Sequence, residues 1–247
     1  MVTYLFYGVS MAIEAGANTI ELPYICSMLS YTEENYLKAL LRIGNQNEGK
    51  AEAGTNELAA QVGVKPATAT DMFKKLKEKK LVDYKKYGKI SLTDTGLKLA
   101  LNIVRKHRLW ETFLYQKLDF SWDEVHDVAE QLEHIHSEKL INKLDEFLEY
   151  PAFDPHGDPI PKANGEILLM DRNVLSELKP GQKALVVAVR DTSIVFLQYL
   201  KKLGINIGTP IKVLETVPFD GSMVISIEDQ EPRSVSVQFA DSLYVRK

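Results

Sequence analysis

Lys106–His136, KHRLWETFLYQKLDFSWDEVHDVAEQLEHIH, decides how the rest of the chain is read, and it reads as two helices. On the first, His107 and Glu111 stand at i and i+4 and so share a face. On the second, His126, Glu130, Glu133 and His134 fall at i, i+4, i+7 and i+8, again within one face, while Val125, Val128, Ala129 and Leu132 occupy much of the remainder. Three imidazoles and three carboxylates make the mixed nitrogen and oxygen donor set that suits Mn, Fe, Co or Zn. The plain alternative is a solvated helix face, since i, i+4 charge pairs are common on amphipathic helices. The flanking sequence weighs against it.

The 247 residues suit two or three domains rather than one. A hydrophobic share of 45% and a charged share of 26% describe an ordinary globular protein. A single cysteine, Cys26, excludes an intramolecular disulfide and fits a reducing cytoplasm. Net charge is only −4, but it is unevenly spread. From Lys65 to Lys89 nine lysines face three acids; from His107 to Glu149 eleven acids face four basic residues. A basic segment followed by an acidic one points to separate anion-binding and cation-binding work.

Residues 1–29 form an N-terminal extension of unassigned role. VTYLFYGVSMAI is apolar but too short to span a bilayer, and no basic segment precedes it as in a signal peptide. Met28 directly precedes well-patterned sequence, so the extension reads as an appendage or an early start. No membrane partner is expected.

From Ser30 the pattern becomes regular. Thr32 is the expected N-cap, with Glu33 and Glu34 favouring the positive helix end. Leu37, Leu40, Leu41 and Gly44 share a face. GNQNEGKAEAG (44–54) is a polar loop, Thr55 caps a second helix ending at Gly63, and Pro66 starts a third, whose buried side is Met72, Phe73 and Leu76. This is a helix-turn-helix. LVDYKKYGKISLT then alternates around Tyr87–Gly88 as a two-stranded wing. Ala67, Thr68, Ala69, Thr70 and Asp71 make the first turns of the third helix small and polar, suited to approach base edges in a major groove. Lys74, Lys75, Lys77 and the wing residues Lys85, Lys86 and Lys89 can reach phosphates.

With the winged helix in place, TDTGLKLA, RKHRLWETFL, EVHDVAEQLEH and DPHGDPIP together resemble the DtxR/MntR family of metal-dependent transcriptional repressors, over about residues 30–162 and more weakly to the end. The resemblance implies a regulatory metal between the first helix and Glu130, Glu133 and His134. It also implies an adjoining site at His107, Glu111 and His126. Asn35 aligns with the first-helix ligand but offers only a neutral carbonyl oxygen. Lys38 stands where a manganese-type Glu is expected. Glu130 occupies a position that is Cys in the iron-responsive branch and Glu in the manganese-responsive one. A hard oxygen there moves preference toward Mn²⁺, with Fe²⁺ the alternative and Zn²⁺ or Co²⁺ able to substitute in vitro.

By the same resemblance Leu109, Trp110, Phe113 and Leu114 lie at a homodimer interface; bundle core is the default reading of those positions. FDPHGDPIP is a rigid turn in which His156 reads as a cap before it reads as a ligand. Strands are expected at 183–190, 210–217, 222–229 and 234–239, with one helix, IVFLQYLKKLG, between the first two, forming a small SH3-like β-barrel similar to FeoA. The corresponding stretch that supplies acidic side chains in some relatives carries only Asp191 here.

The expected architecture is α+β. Residues 30–95 form the winged helix-turn-helix and 96–162 the metal-binding and dimerisation helices. Residues 163–172 are a linker and 173–247 the barrel. The expected function is a cytoplasmic, homodimeric, Mn²⁺- or Fe²⁺-dependent repressor of metal-uptake genes on a palindromic operator. Two rivals remain: a metal-independent winged-helix regulator, and a mononuclear metalloenzyme, against which stands the lack of an HExxH-type motif.

Overall fold

Ser30, not Thr32, starts the first helix. In a computed structural model, which describes residues 2–6, 9–13, 29–46, 52–84, 88–168 and 170–247, the Ser30 hydroxyl accepts from Glu33 N at 3.3 Å and Glu33 Oε2 accepts from Ser30 N at 2.8 Å. This reciprocal capping box opens α1, Tyr31–Gln46. Burial by itself would raise the Glu33 carboxyl, but hydrogen bonds from Lys79 and Ser30 and the Lys79 charge hold it below its ordinary value.

Helices α2 (Thr55–Val62) and α3 (Pro66–Glu78) are the helix-turn-helix. Gly54 rather than Thr55 is the N-cap of α2, its N–H donating to Glu57 Oε2 at 3.2 Å. Gly63 closes α2 at φ 71°, in the left-handed region where a side chain would strain the turn. The end of the expected polar loop is a strand: β3 (Glu52–Gly54) joins β4 (Val82–Tyr84) and β5 (Lys89–Leu92) in the order β3-β5-β4, all antiparallel. Residues 2–6 (β1) and 9–13 (β2) pair antiparallel; the rest of the extension, and Lys85, Lys86 and Tyr87 of the wing, lie outside the described residues.

Thr93 accepts from Gly96 N and starts α4, the 24-residue helix Asp94–Lys117. A Cβ at Gly96 would sit 2.0 Å from the Leu81 carbonyl oxygen, so the helix can cross this closely only with glycine. Helices α5 (Val125–Leu132) and α6 (Glu138–Phe147) follow, the latter capped by Ser137 and fastened to α4 where Arg105 donates to Asp145 at 2.8 Å and Asn142 at 3.2 Å. The expected second ligand helix stops at Leu132, so Glu133 and His134 stand on the turn beyond it, not on its face.

The C-terminal strands are β6 (Asn173–Val174), β7 (Lys183–Val189), β8 (Pro210–Thr216), β9 (Met223–Ile227), β10 (Arg233–Val235) and β11 (Leu243–Arg246), with α7 (Ile194–Leu203) and α8 (Val237–Asp241). They form one six-stranded antiparallel sheet in the order β10-β9-β8-β7-β11-β6. Among the described residues no pairing is seen between β10 and β6. The expected strand 234–239 ends at Val235, because Ser236 accepts from Phe239 N and turns the chain into α8. Asp191 Oδ1 accepts from Ser193 N at 2.8 Å ahead of α7.

The chain forms two compact units. The first comprises Met1–Trp110, Glu130–Ala152 and Ile160–Leu169, with a core that includes Tyr36, Leu40, Phe73, Leu76, Ile90 and Leu97; the second comprises Glu111–Ala129, Phe153–Pro159 and Met170–Lys247, with a core that includes Trp122, Leu175, Leu197, Val213 and Phe239. Among the described residues no helix is long and apolar enough to cross a membrane.

Candidate metal centre and nucleic-acid interface

The expected ligands divide between the two units. In the first unit, one face of α1 presents Tyr31, Glu34 and Lys38 at i, i+3 and i+7. Tyr31 stacks on the His134 ring with centroids 4.4 Å apart. Glu34, fully buried, accepts from His134 Nδ1 at 2.5 Å, and its other oxygen lies 3.7 Å from His136 Nδ1 and 3.9 Å from Lys106 Nζ. The Lys38 ammonium donates to Glu130 Oε1 at 2.9 Å and to both oxygens of Glu133, at 2.7 and 2.8 Å. Glu133, also fully buried, pairs with His107 Nδ1 at 2.6 Å. Burial would raise the Glu133 carboxyl, but His107 and Lys38 outweigh it and hold it below its ordinary value.

These residues do not fit a divalent ion at Glu130, Glu133 and His134. Both oxygens of Glu133 and one of Glu130 face Lys38, and His134 is turned to Glu34. A doubly charged ion about 4 Å from the ammonium would meet a repulsion of about 8 kcal/mol at an effective dielectric of 20. Asn35 is half-buried beside this face and is not among the groups that hold Lys38 or His134.

The second unit brings together a different set. Glu111, one turn beyond His107 on α4, has Oε1 3.2 Å from His126 Nδ1 and Oε2 3.6 Å from His156 Nδ1. Ligand atoms of Glu111, Asp154 and His156 lie within 4.8 Å of one another, all three residues buried. His156 Nε2 donates to the Trp122 carbonyl at 2.8 Å. Burial would lower the His156 pKa, but Glu111, the Asp154 charge and the Trp122 carbonyl raise it to about 9. Asp154 Oδ1 accepts from His156 N and Asp158 N and so shapes the turn. Gly157 sits there at φ 84°, where a Cβ would collide with the Val187 carbonyl oxygen at 2.0 Å, and Val189 N donates to His156 O. His156 is therefore a buried partner of Glu111 and not merely a cap. This donor set, a buried cluster of carboxylates and imidazole with the partly exposed His126 beside Glu111, fits a divalent ion.

The described residues expected to meet DNA lie on α3 and, for Lys89, at the start of β5. Ala67, Thr68, Asp71, Lys74, Lys75 and Lys89 are exposed, whereas Ala69 is fully buried and Thr70 is half-exposed with its hydroxyl donating to Pro66 O at 2.9 Å. Lys74 pairs with Asp71 at 3.0 Å. Lys77 lies over the Tyr84 ring at 4.9 Å and ties α3 to the wing. Of the expected dimer residues, Leu109 and Leu114 are buried within the protomer, Trp110 nearly so, and Phe113 is half-buried. Tyr115, further along α4, and Leu118, just past its end, are exposed.

Three known domain families match consecutive parts of the chain. The iron-dependent repressor N-terminal DNA-binding domain matches residues 28–90, the iron-dependent repressor metal-binding and dimerisation domain residues 93–162, and the FeoA domain residues 174–247. The iron-dependent repressor IdeR of Mycobacterium bovis is 32% identical over 170 residues, 64% of this chain and 73% of that protein. The chain belongs to the iron-dependent repressor (DtxR/MntR) family. Members of this family are transcriptional repressors and not enzymes. A solved manganese-dependent transcriptional repressor in complex with manganese matches with a TM-score of 0.77 and 35% identity, covering 86% of this chain and 98% of that one. The "Probable metal transport system membrane protein" of Chlamydia trachomatis is 49% identical over 72 residues, 29% of this chain, and the match spans only 16% of that protein's length.

Sequence reasoning missed Glu34, His136 and Asp154 and read His156 as a cap. Glu34 carried a signal: adjacent acids in a first helical turn cannot both cap, and with Glu33 taken by Ser30, Glu34 points to the other face.

Proposed function

We propose that this protein is a cytoplasmic, homodimeric repressor whose hold on a palindromic operator is governed by a divalent ion, Mn²⁺ ahead of Fe²⁺, and that it controls metal-uptake genes. The observation that carries this reading is the buried cluster of Glu111, His126, His156 and Asp154. When bound, the ion supplies positive charge to a buried carboxylate and takes the place of the His156 proton, because an imidazole must be neutral to act as a ligand. Glu111 and His126 would hold it, with His156 and Asp154 on its buried side. His107 shares the Glu111 helix face one turn earlier.

Helix α4 links this cluster to DNA binding. The same continuous helix carries Gly96 against Leu81 of the winged helix and, fifteen residues on, Glu111. The exposed first turn of α3 then reads base edges while Lys75 and Lys89 contact phosphates. Preference for Mn²⁺ is supported by hard carboxylate oxygens beside imidazole and by the manganese-dependent relative.

The test is operator binding with Mn²⁺, Fe²⁺, Zn²⁺ and chelator in parallel, on wild type, Glu111→Gln and His126→Ala. We expect chelator to release wild type from DNA and either substitution to weaken the Mn²⁺ response at least tenfold. Equal binding with and without chelator refutes metal control.

A further inference from the structure

The face of α1 that meets Glu130 and Glu133 raises a separate question, because the family resemblance puts a regulatory ion there and the residues present do not fit one. Lys38 Nζ makes three hydrogen bonds to these carboxylates, as many as an ammonium has protons. Nearby, the buried Lys106 ammonium stands 3.9 Å from Glu34 and has no hydrogen-bond partner among the described residues, so its role is that of a charge. Three carboxylates, Glu34, Glu130 and Glu133, are thus met by two fixed ammonium groups and by His107, His134 and His136. The chain supplies the positive charge that a metal would otherwise bring.

We propose that the Lys38 ammonium stands in for the divalent ion between α1 and the Glu130/Glu133 turn, so that the first helix is tied down by a cation the chain carries itself. This half of the protein then holds its arrangement without metal, and ion control is left to other residues. The inference goes beyond the proposed function and does not depend on it: a built-in cation here is equally compatible with an ion, or none, at Glu111. A single position separates the two designs. With Lys38 shortened, Glu130, Glu133 and His134 would regain the oxygen and nitrogen donors that bind Mn²⁺.

The experiment counts ions. Full-length wild type, Lys38→Ala, Lys38→Arg and Glu130→Ala are stripped with chelator and titrated with Mn²⁺, with bound metal per chain measured by mass spectrometry and free Mn²⁺ by electron paramagnetic resonance. We expect Lys38→Ala to bind one more Mn²⁺ per chain than wild type, to melt lower than wild type in chelator, and to recover on adding Mn²⁺. Lys38→Arg keeps the cation and should gain no ion. Glu130→Ala should bind as many ions as wild type, and this arm decides the matter if Lys38→Ala does not fold without metal. A wild type that loses one ion in Glu130→Ala overturns the proposal, as does a folded Lys38→Ala with no added ion. Wild type binding no ion at all would defeat the proposed function instead, while the gain in Lys38→Ala would still stand.

Discussion

Gly157→Ala is expected to damage the second unit and its metal cluster together. Two costs follow from the geometry. The residue sits at φ 84°, and a left-handed conformation costs an L-residue about 1–2 kcal/mol. The new Cβ would also lie 2.0 Å from the Val187 carbonyl oxygen and 2.7 Å from Ala188 Cα, backbone atoms of β7 that cannot swing aside. Forcing extra atoms into such a contact costs about 1–3 kcal/mol. The sum is about 2–5 kcal/mol, and a middle value of about 3 kcal/mol should lower the melting temperature by about 6–12 °C in a chain of this size. Relief requires the 154–158 turn to lift from β7, which draws His156 away from Glu111, so Mn²⁺ affinity should fall as well. Gly181→Ala is the control: it has φ 88° but nothing within 4 Å of the added Cβ, so it should show only the backbone cost of about 1–2 kcal/mol and leave Mn²⁺ binding alone. Urea unfolding and Mn²⁺ titration of both variants decide the matter. Equal losses of stability, or equal effects on Mn²⁺, would refute the view that close packing at Gly157 positions His156.

Arg105→Ala should cost about 3 kcal/mol, because it leaves Asp145 half-buried without the guanidinium that joins α4 to α6; a loss below about 1 kcal/mol in urea unfolding would contradict this. Lys75→Ala should weaken binding to all DNA sequences alike and reduce the salt slope by about one, whereas Lys74→Ala should do less because Lys74 already pairs with Asp71; fluorescence anisotropy against salt concentration checks the order. Thr68→Ala should act mainly on the preferred operator, and an equal effect on random DNA would move base reading elsewhere. Glu33 titrates below its ordinary value in the folded chain, so its contribution to stability is full above the unfolded carboxyl pKa and is lost as pH falls through the folded value; Lys79→Met should flatten that acid limb in pH-dependent melting.

Much of the fold was legible because local signals agreed with one another. Pro66 at the start of α3, Gly63 at the end of α2 and the spacing of Phe73 and Leu76 are helix grammar within a few residues. The C-terminal half of α4, the IVFLQYLKKLG helix and three of the C-terminal strands were read the same way. The short strands β3, β6 and β11 were not: two- to four-residue strands exist through their partners, and their sequence carries too little periodicity to announce them.

The candidate site divides along the same line. By itself the sequence determined which side chains of α4 share a face, because i, i+4 spacing on a helix fixes one. It put Glu111 one turn beyond His107 on α4, and the extended helix pattern placed Thr68, Lys74 and Lys75 outward on α3. What each acid and imidazole faces was decided only in three dimensions. The end of α5 at Leu132 turns Glu133 and His134 toward α1, where Lys38 and Glu34, about 95 and 100 residues away in sequence, receive them. The close fit of Gly157 on β7 carries His156 to Glu111 across 45 residues. Periodicity describes a residue's own element, whereas a charge finds its counter-charge through packing between elements, and no spacing along the chain encodes that distance.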